Sequence, residues 1–318
     1  MTTVLDLAEE IRHELENAHP ELRKTILKKL PLLVAVMLEA RTANTTELAE
    51  ILPLKTPRLD MRLQWISRLL GNPLLISNKI IEPFARRILA QAGSNGQIIF
   101  LTMDQEKIGD RFTILIVTVL IKGQSFPLVW RIEVSSTNLE FDWQRIILDQ
   151  VNTWLPEGVI VCLMMDRPSP TEELFNWVQE RGWQYQFHLQ NNFPIHGNNK
   201  GLMLGDLLKY ATNETLQSNI VLFNGKVTTN IVTRQVDDQG ENHVLACSAN
   251  LAATHDCRGY QGVDILFNSF HSKNFSLKDT QLHYEIRIDH LVLIMSLAMY
   301  WCRENEYKND YCQSIKKI

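Results

Sequence analysis

Two apolar stretches of the chain each end in a carboxylate. One is Ile98-Ile99-Phe100-Leu101-Thr102-Met103-Asp104, and the other is Val159-Ile160-Val161-Cys162-Leu163-Met164-Met165-Asp166. Their apolar and β-branched content predicts buried strands. A carboxylate at such a place is costly unless it is paired or holds a metal. A single strand-end Asp can instead cap a turn or the next helix, but two at matching strand ends favour the metal reading. A third acid, Asp264, lies in Gly259-Tyr260-Gln261-Gly262-Val263-Asp264-Ile265-Leu266-Phe267. There Val263, Leu266, Phe267 and Phe270 mark the core side of an expected helix, and Asp264 stands beside that side. Carboxylates converging from two strands and a helix can hold two divalent ions about 3.5–4 Å apart, the arrangement for in-line displacement at phosphorus by a water or a 3′-hydroxyl. Oxygen donors alone favour Mg²⁺ or Mn²⁺.

The elements around these acids follow from patterning. Ile98–Met103, Phe112–Ile121 and Phe126–Val134 predict a three-strand antiparallel meander, with the second turn at Gly123-Gln124. Asn138–Trp154 reads as a helix with Phe141, Trp143, Ile146, Ile147 and Val151 as its apolar positions. The second acid-ended strand follows. A helix over Thr171–Arg181 then stops at Gly182, and a strand runs over Trp183–Leu189. Three antiparallel strands, then helix, strand, helix, strand is the order of an RNase H-like mixed sheet with flanking helices. Residues 190–255 interrupt it with a β-rich insertion at Ile220–Asn224, Val227–Arg234 and His243–Ser248. Helix returns near Tyr260, and a long helix covers Glu285 to about Arg303. The expected domains are a helical DNA-binding unit over 1–92, a catalytic unit over 93–303 interrupted at 190–255, and a polar tail over 304–318.

The N-terminal unit reads as helices throughout. Glu21–Leu38 has a basic side of Arg23, Lys24, Lys28 and Lys29, and Pro31 is expected to start a new helix rather than to sit inside one. Asn44-Thr45-Thr46-Glu47 signals a helix start. After Pro53 and Pro57, a longer helix over Arg58–Leu70 carries Arg58, Arg62, Arg68 and Trp65, and another follows over 78–92. Two short helices before a longer Arg-bearing one fit a helix-turn-helix layout. They equally fit a plain bundle with solvated arginines.

Composition narrows the classes. The chain has 318 residues, 45% hydrophobic and 21% charged, with a formal net charge of −4. That balance excludes a protein that coats nucleic acid, so any DNA contact must come from local basic patches. No apolar run reaches the roughly 18–20 residues of a membrane span. The early charges Asp6, Glu9, Glu10 and Arg12 do not suit a signal peptide, so no membrane partner and a cytoplasmic location are expected. The five cysteines show no CxxC pair and read as buried, reduced thiols.

Over roughly Pro20 to Trp301 the chain resembles the DDE transposases of bacterial insertion sequences, in the group founded on insertion sequence four. The likeness runs through Leu101-Thr102-Met103-Asp104-Gln105, Ser125-Phe126-Pro127-Leu128-Val129-Trp130, Met165-Asp166-Arg167, Glu173-Leu174-Phe175, Arg181-Gly182-Trp183, Leu245–Asn250, Asn274-Phe275-Ser276-Leu277 and Arg287-Ile288 with Leu291. The order and spacing of these segments carry it, rather than any single motif. The resemblance implies Asp104, Asp166 and Asp264 as catalytic metal ligands for Mg²⁺ or Mn²⁺. It implies double-stranded DNA, at element ends and target, as the partner, with a homodimer as a candidate form of that complex. Arg58, Arg62, Arg68 and Arg167 are the candidate DNA contacts.

The departures lie around the third acid. Where the family has Tyr, two residues, Arg, three residues, Glu, six residues and Lys, this chain has Cys257, Tyr260, Asp264 and His271. Three readings follow. The first is a transposase with activity lowered by these changes. The second is a catalytically inactive DNA-binding remnant or inhibitor of the same fold. The third is an RNase H-like nuclease unrelated to transposition.

Overall fold

Gly93 marks the place where the helical N-terminal part meets the sheet. A Cβ there would come within 2.9 Å of Val159 Cγ1 and 3.1 Å of Ile99 Cδ1. Only a hydrogen lets the end of one helix press against the lead-ins of two strands. A computed structural model describes residues 3–134, 141–165, 170–196, 201–208, 214–235, 242–248 and 282–304. Asp166, Arg167, Asp264, Cys257, Tyr260, His271, the helix expected near Tyr260 and the tail after 304 lie outside the described residues.

Five helices come first: α1 Val4–Ala18, α2 Lys24–Ala40, α3 Thr45–Ile51, α4 Leu59–Leu70 and α5 Ser77–Ala92. Then come β1 Ile99–Ile108, β2 Phe112–Ile121, β3 Gln124–Val134, α6 Phe141–Trp154, β4 Val161–Met165, α7 Glu172–Glu180, β5 Gln184–Leu189, α8 Leu204–Leu208, β6 Glu214–Leu222, β7 Val227–Gln235 and β8 Asn242–Cys247. A last long helix, here α9, spans Glu285–Glu304. The fold is mixed α/β, with one eight-stranded sheet in the order β3-β2-β1-β4-β5-β8-β7-β6.

The meander and the two parallel strands form as patterning predicts: β1–β2 and β2–β3 are antiparallel, and β1–β4 and β4–β5 are parallel. The β2–β3 turn sits one residue earlier than expected. Lys122 (φ 52°) and Gly123 (φ 77°) occupy it and Gln124 already pairs with Ile121. Two consecutive positive φ values are what a two-residue primed turn demands. The segment expected as an interrupting insertion instead lengthens the sheet, because β8 hydrogen-bonds directly to β5 and β7 and β6 follow outward. The free edge of β5 is an unpaired row of backbone groups, and β8 satisfies it.

Adjacent residues of β3 mark the two faces of the sheet. Arg131 stacks its guanidinium 3.3 Å from the centre of the Trp143 ring on α6. Trp130 Nε1 donates to Asp289 of α9 at 2.8 Å. The α6 side carries Met103, Val117 and Val129, and continues to Phe175 of α7 against Tyr185 and Phe187. On α6 itself Ile147, Leu148 and Val151 are buried, whereas Ile146, expected on the core side, is exposed. Leu148 takes the place that the helical repeat had suggested for Ile146.

Helix α2 runs unbroken through Pro31, against the sequence expectation. The proline forfeits one backbone hydrogen bond and crowds the carbonyl four residues back. Burial of Ile26, Leu27, Leu30, Leu33, Val34 and Met37 holds the helix together regardless.

The helices of 1–92 share their core with the sheet. One continuous cluster of buried residues extends from Leu7 through Leu163 to Cys302. Helix α9 makes the junction, packing on β3, α2, α4 and α5, with Ile288, Leu291, Val292, Leu293, Ile294 and Ala298 fully buried. Within this helix the ring nitrogens of His290 each lie 2.7 Å from a carbonyl oxygen, Nδ1 from Leu70 and Nε2 from Leu75. These carbonyls flank the α4–α5 connection, so His290 fixes the path of that loop. The Tyr300 hydroxyl donates to the Pro127 carbonyl at 2.6 Å, and burial pushes the Tyr300 phenol well above its ordinary range.

His290→Ala removes the ring's N–H donor from these buried carbonyls and the imidazole that fills the space between them, at a cost of about 1–3 kcal/mol for a carbonyl left unpaired and more for the cavity. Urea unfolding should show the variant destabilised by roughly 2–4 kcal/mol. A midpoint equal to that of the parent chain would mean that the loop carbonyls find other donors.

Candidate functional site

Asp104 is placed by pairing on both sides of β1. Among the described residues the parallel ladder to β4 runs as far as Met103 opposite Met165. The antiparallel ladder to β2 continues, with Asp104 opposite Ile116, out to Ile108 opposite Phe112. The expected strand end at Asp104 is thus not the end of β1, which runs on to Ile108. The polar residues Gln105, Glu106 and Lys107 stay in the strand because a full-length β2 pairs with them. Asp104 is half-buried, and its Oδ1 accepts the Gln105 backbone N–H at 2.7 Å.

Period-two alternation puts Met103 in the main core and Asp104 on the opposite face, the face that Trp130 presents to α9. Residues earlier on that face are closed off. Thr102 is 2% exposed and its hydroxyl lies 2.6 Å from that of Thr118. Cys162 and Met164 form a small apolar cluster with Phe100 and Leu120. At Asp104 the face opens, which suits a carboxylate that must reach an ion. In sequence, Asp166 follows Met165, the residue paired with Met103. On the next strand Met165 pairs with Phe187, so His188 stands one position beyond that pair, as Asp104 stands one beyond its own. His188 is not among the candidates that strand-end acids single out. The signal was available, since Tyr185-Gln186-Phe187-His188 also brings a ligand-type residue to the end of a buried strand.

The three N-terminal arginines that are candidates for DNA contact stand in different situations. Arg58 pairs with Asp60 at 2.6 Å on an exposed surface, and this hydrogen bond holds the Asp60 carboxyl below its ordinary range. Arg62 is turned inward: Nε donates to the Thr56 carbonyl at 2.9 Å, and Nη1 to those of Glu50 at 2.8 Å and Ala49 at 3.3 Å. It caps carbonyls that α3 leaves unpaired at its end. Arg68 is exposed in the last turn of α4, where a cation is favourable. At the start of α2, Arg23 (the residue just before the helix), Lys24 and Lys28 are exposed, and Lys29 lies 5.9 Å from the centre of the Trp65 ring. Among the described residues none of these four α2 cations joins an ion pair.

Cys162, Cys247 and Cys302 are buried thiols. Among the described residues no group of three or more His, Cys, Asp or Glu side chains is arranged to hold a metal ion. No helix of the described residues is long and apolar enough to cross a membrane. No protein-family model matches the chain, and no curated protein matches it.

The arginine geometry separates two substitutions. Arg62→Ala removes charge-assisted bonds to three carbonyls and should lower stability by about 1–2 kcal/mol. Arg58→Ala breaks only a solvated pair and should leave the melting temperature unchanged. Equal thermal shifts for the two variants would contradict this assignment.

Proposed function

We propose that the chain is an RNase H-like DNA strand-transfer enzyme of the insertion-sequence transposase type, acting in the cytoplasm on double-stranded DNA. The observation that carries the reading is the Met103–Met165 register pair on adjacent parallel strands, each residue followed in sequence by an aspartate. The strand order β3-β2-β1-β4-β5, antiparallel then parallel, is the arrangement expected of an RNase H-like sheet.

Asp104, Asp166 and Asp264 are the residues that would hold the divalent ions. The half-buried carboxylate of Asp104, at the point where its face of the sheet opens, is a donor of the kind that Mg²⁺ or Mn²⁺ takes. Bound there, the ions would supply Lewis acidity at the scissile phosphate. The chain's own task is to hold the acids still. β1 does so by hydrogen bonding to β2 and β4 at once, and the Gln105 amide orients Asp104. DNA contacts are assigned to Arg68 and Arg167, and to the α2 cations Arg23, Lys24 and Lys28, in preference to the internally bonded Arg58 and Arg62. A DNA-binding remnant without catalysis is the second reading. It is favoured by Asp264 standing where the family has Glu and by the engagement of Arg58 and Arg62 within the chain.

The test is cleavage and joining of a labelled duplex carrying the element's own terminal repeats, in Mg²⁺ or Mn²⁺. The parent chain should cleave weakly, and Asp104→Asn should lower cleavage by more than about a hundredfold. Cys257→Tyr, Tyr260→Arg, Asp264→Glu and His271→Lys together should raise cleavage more than any one alone, because groups at one phosphate act as a unit. No cleavage by either the parent chain or the four-fold variant would leave the remnant reading. Cleavage without joining would leave a plain nuclease.

A further inference from the structure

We infer that His188 and Asp104 are ligands of one mixed carboxylate–imidazole cation site at the carboxyl edge of the parallel strands, an inference that rests on the reading of Asp104 as a metal ligand. The register fixes the placement. Met103 pairs with Met165 and Met165 with Phe187 across three parallel strands. Asp104 and His188 are each the next residue, so both lie at the same height and point to the same face. The neighbours agree on which face. Phe187 packs in the main core against Phe175. His188 pairs with Leu245, which belongs to a small separate cluster with Val232 and Cys247. Two residues earlier on this face, Gln186 is 4% exposed, whereas His188 is half-buried. The face is therefore closed behind the pair and open at it.

The span suits a shared ion. β1 and β5 are separated by β4 alone, so the two Cα atoms stand two strand spacings apart, about 9–10 Å. A carboxylate from one side, an imidazole from the other and two ligand bonds of about 2 Å each close that distance. Replacing one oxygen donor by an imidazole changes which ion the site prefers. Carboxylates alone suit Mg²⁺, whereas a nitrogen ligand raises affinity for Mn²⁺, Co²⁺ and Zn²⁺. Such a pair of ligands would favour Mn²⁺ or Co²⁺ over Mg²⁺.

The experiment reads metal binding directly on the full chain without DNA. Isothermal titration should show Mn²⁺ and Co²⁺ bound more tightly than Mg²⁺. His188→Ala should weaken Mn²⁺ and Co²⁺ by at least about tenfold and Mg²⁺ less, and should alter the visible spectrum of the Co²⁺ complex. A second measurement uses the unaltered protein: Zn²⁺ titration should shift one His188 ring nitrogen in the ¹⁵N spectrum. Unchanged Mn²⁺ and Co²⁺ affinity in a folded His188→Ala chain, or a His188 resonance indifferent to Zn²⁺, would overturn the inference. If Asp104→Asn then still abolished Mn²⁺ binding, the reading of Asp104 would stand and only His188 would fall. If neither substitution mattered, both would fall.

Discussion

The fold and its candidate site depend on the register of β1. This strand hydrogen-bonds antiparallel to β2 on one side and parallel to β4 on the other. Both ladders must agree on which residues face the core. A slip of one residue would drive Asp104 into the apolar layer beneath α6 and α7 and turn Leu101 and Met103 out of it. Burying a carboxylate there costs several kcal/mol, and exposing two large apolar side chains costs about 1.5–3 kcal/mol each. The same energetics that fix the core therefore fix the height and direction of Asp104. A site built on such a strand inherits the rigidity of the sheet.

Helix α9 supplies the second constraint. It lies against β3 while also packing on α2, α4 and α5, so the helices of 1–92 are not hung from the sheet by a linker. Asp289 illustrates the junction: its carboxylate accepts from Trp130 of β3 at 2.8 Å and from Ser77 of α5 at 2.5 Å. One residue later His290 bridges the Leu70 and Leu75 carbonyls. Trp130 belongs to the row of side chains that includes Ile116 and Asp104. The helical part and the strand that carries Asp104 are thus tied together through β3 and α9.

The sequence was most informative where a residue's neighbours in the chain decide its place. The β-rich run Phe112–Ile121, the stop at Gly182 and the Asn44 cap are local, and the structure has them where patterning puts them. Asn44 accepts the Thr46 N–H. Beyond Gly182, at φ +66°, the Trp183 amide reaches back to the Val178 carbonyl. What local pattern missed was set by distant partners. Pro31 stays inside a helix because the core around it outweighs the lost hydrogen bond. Strands β6, β7 and β8 join the main sheet because β5 offered an edge for β8 to pair with. Arg62 looks like a surface cation in sequence, yet its guanidinium is spent on the end of α3. The row of Asp104 and His188 was half legible: the acid ends an apolar run, but only the pairing of Phe187 with Met165 puts the imidazole level with it.

The most direct test of the central claim is a crystal structure of the chain grown with Mn²⁺, with the ion located by its anomalous scattering. A peak is expected against the Asp104 carboxylate, on the face of the sheet that carries Thr102 and Trp130, just beyond the Met103–Met165 pair. Anomalous density confined to other sites, or an Asp104 side chain turned toward the α6 face, would contradict it.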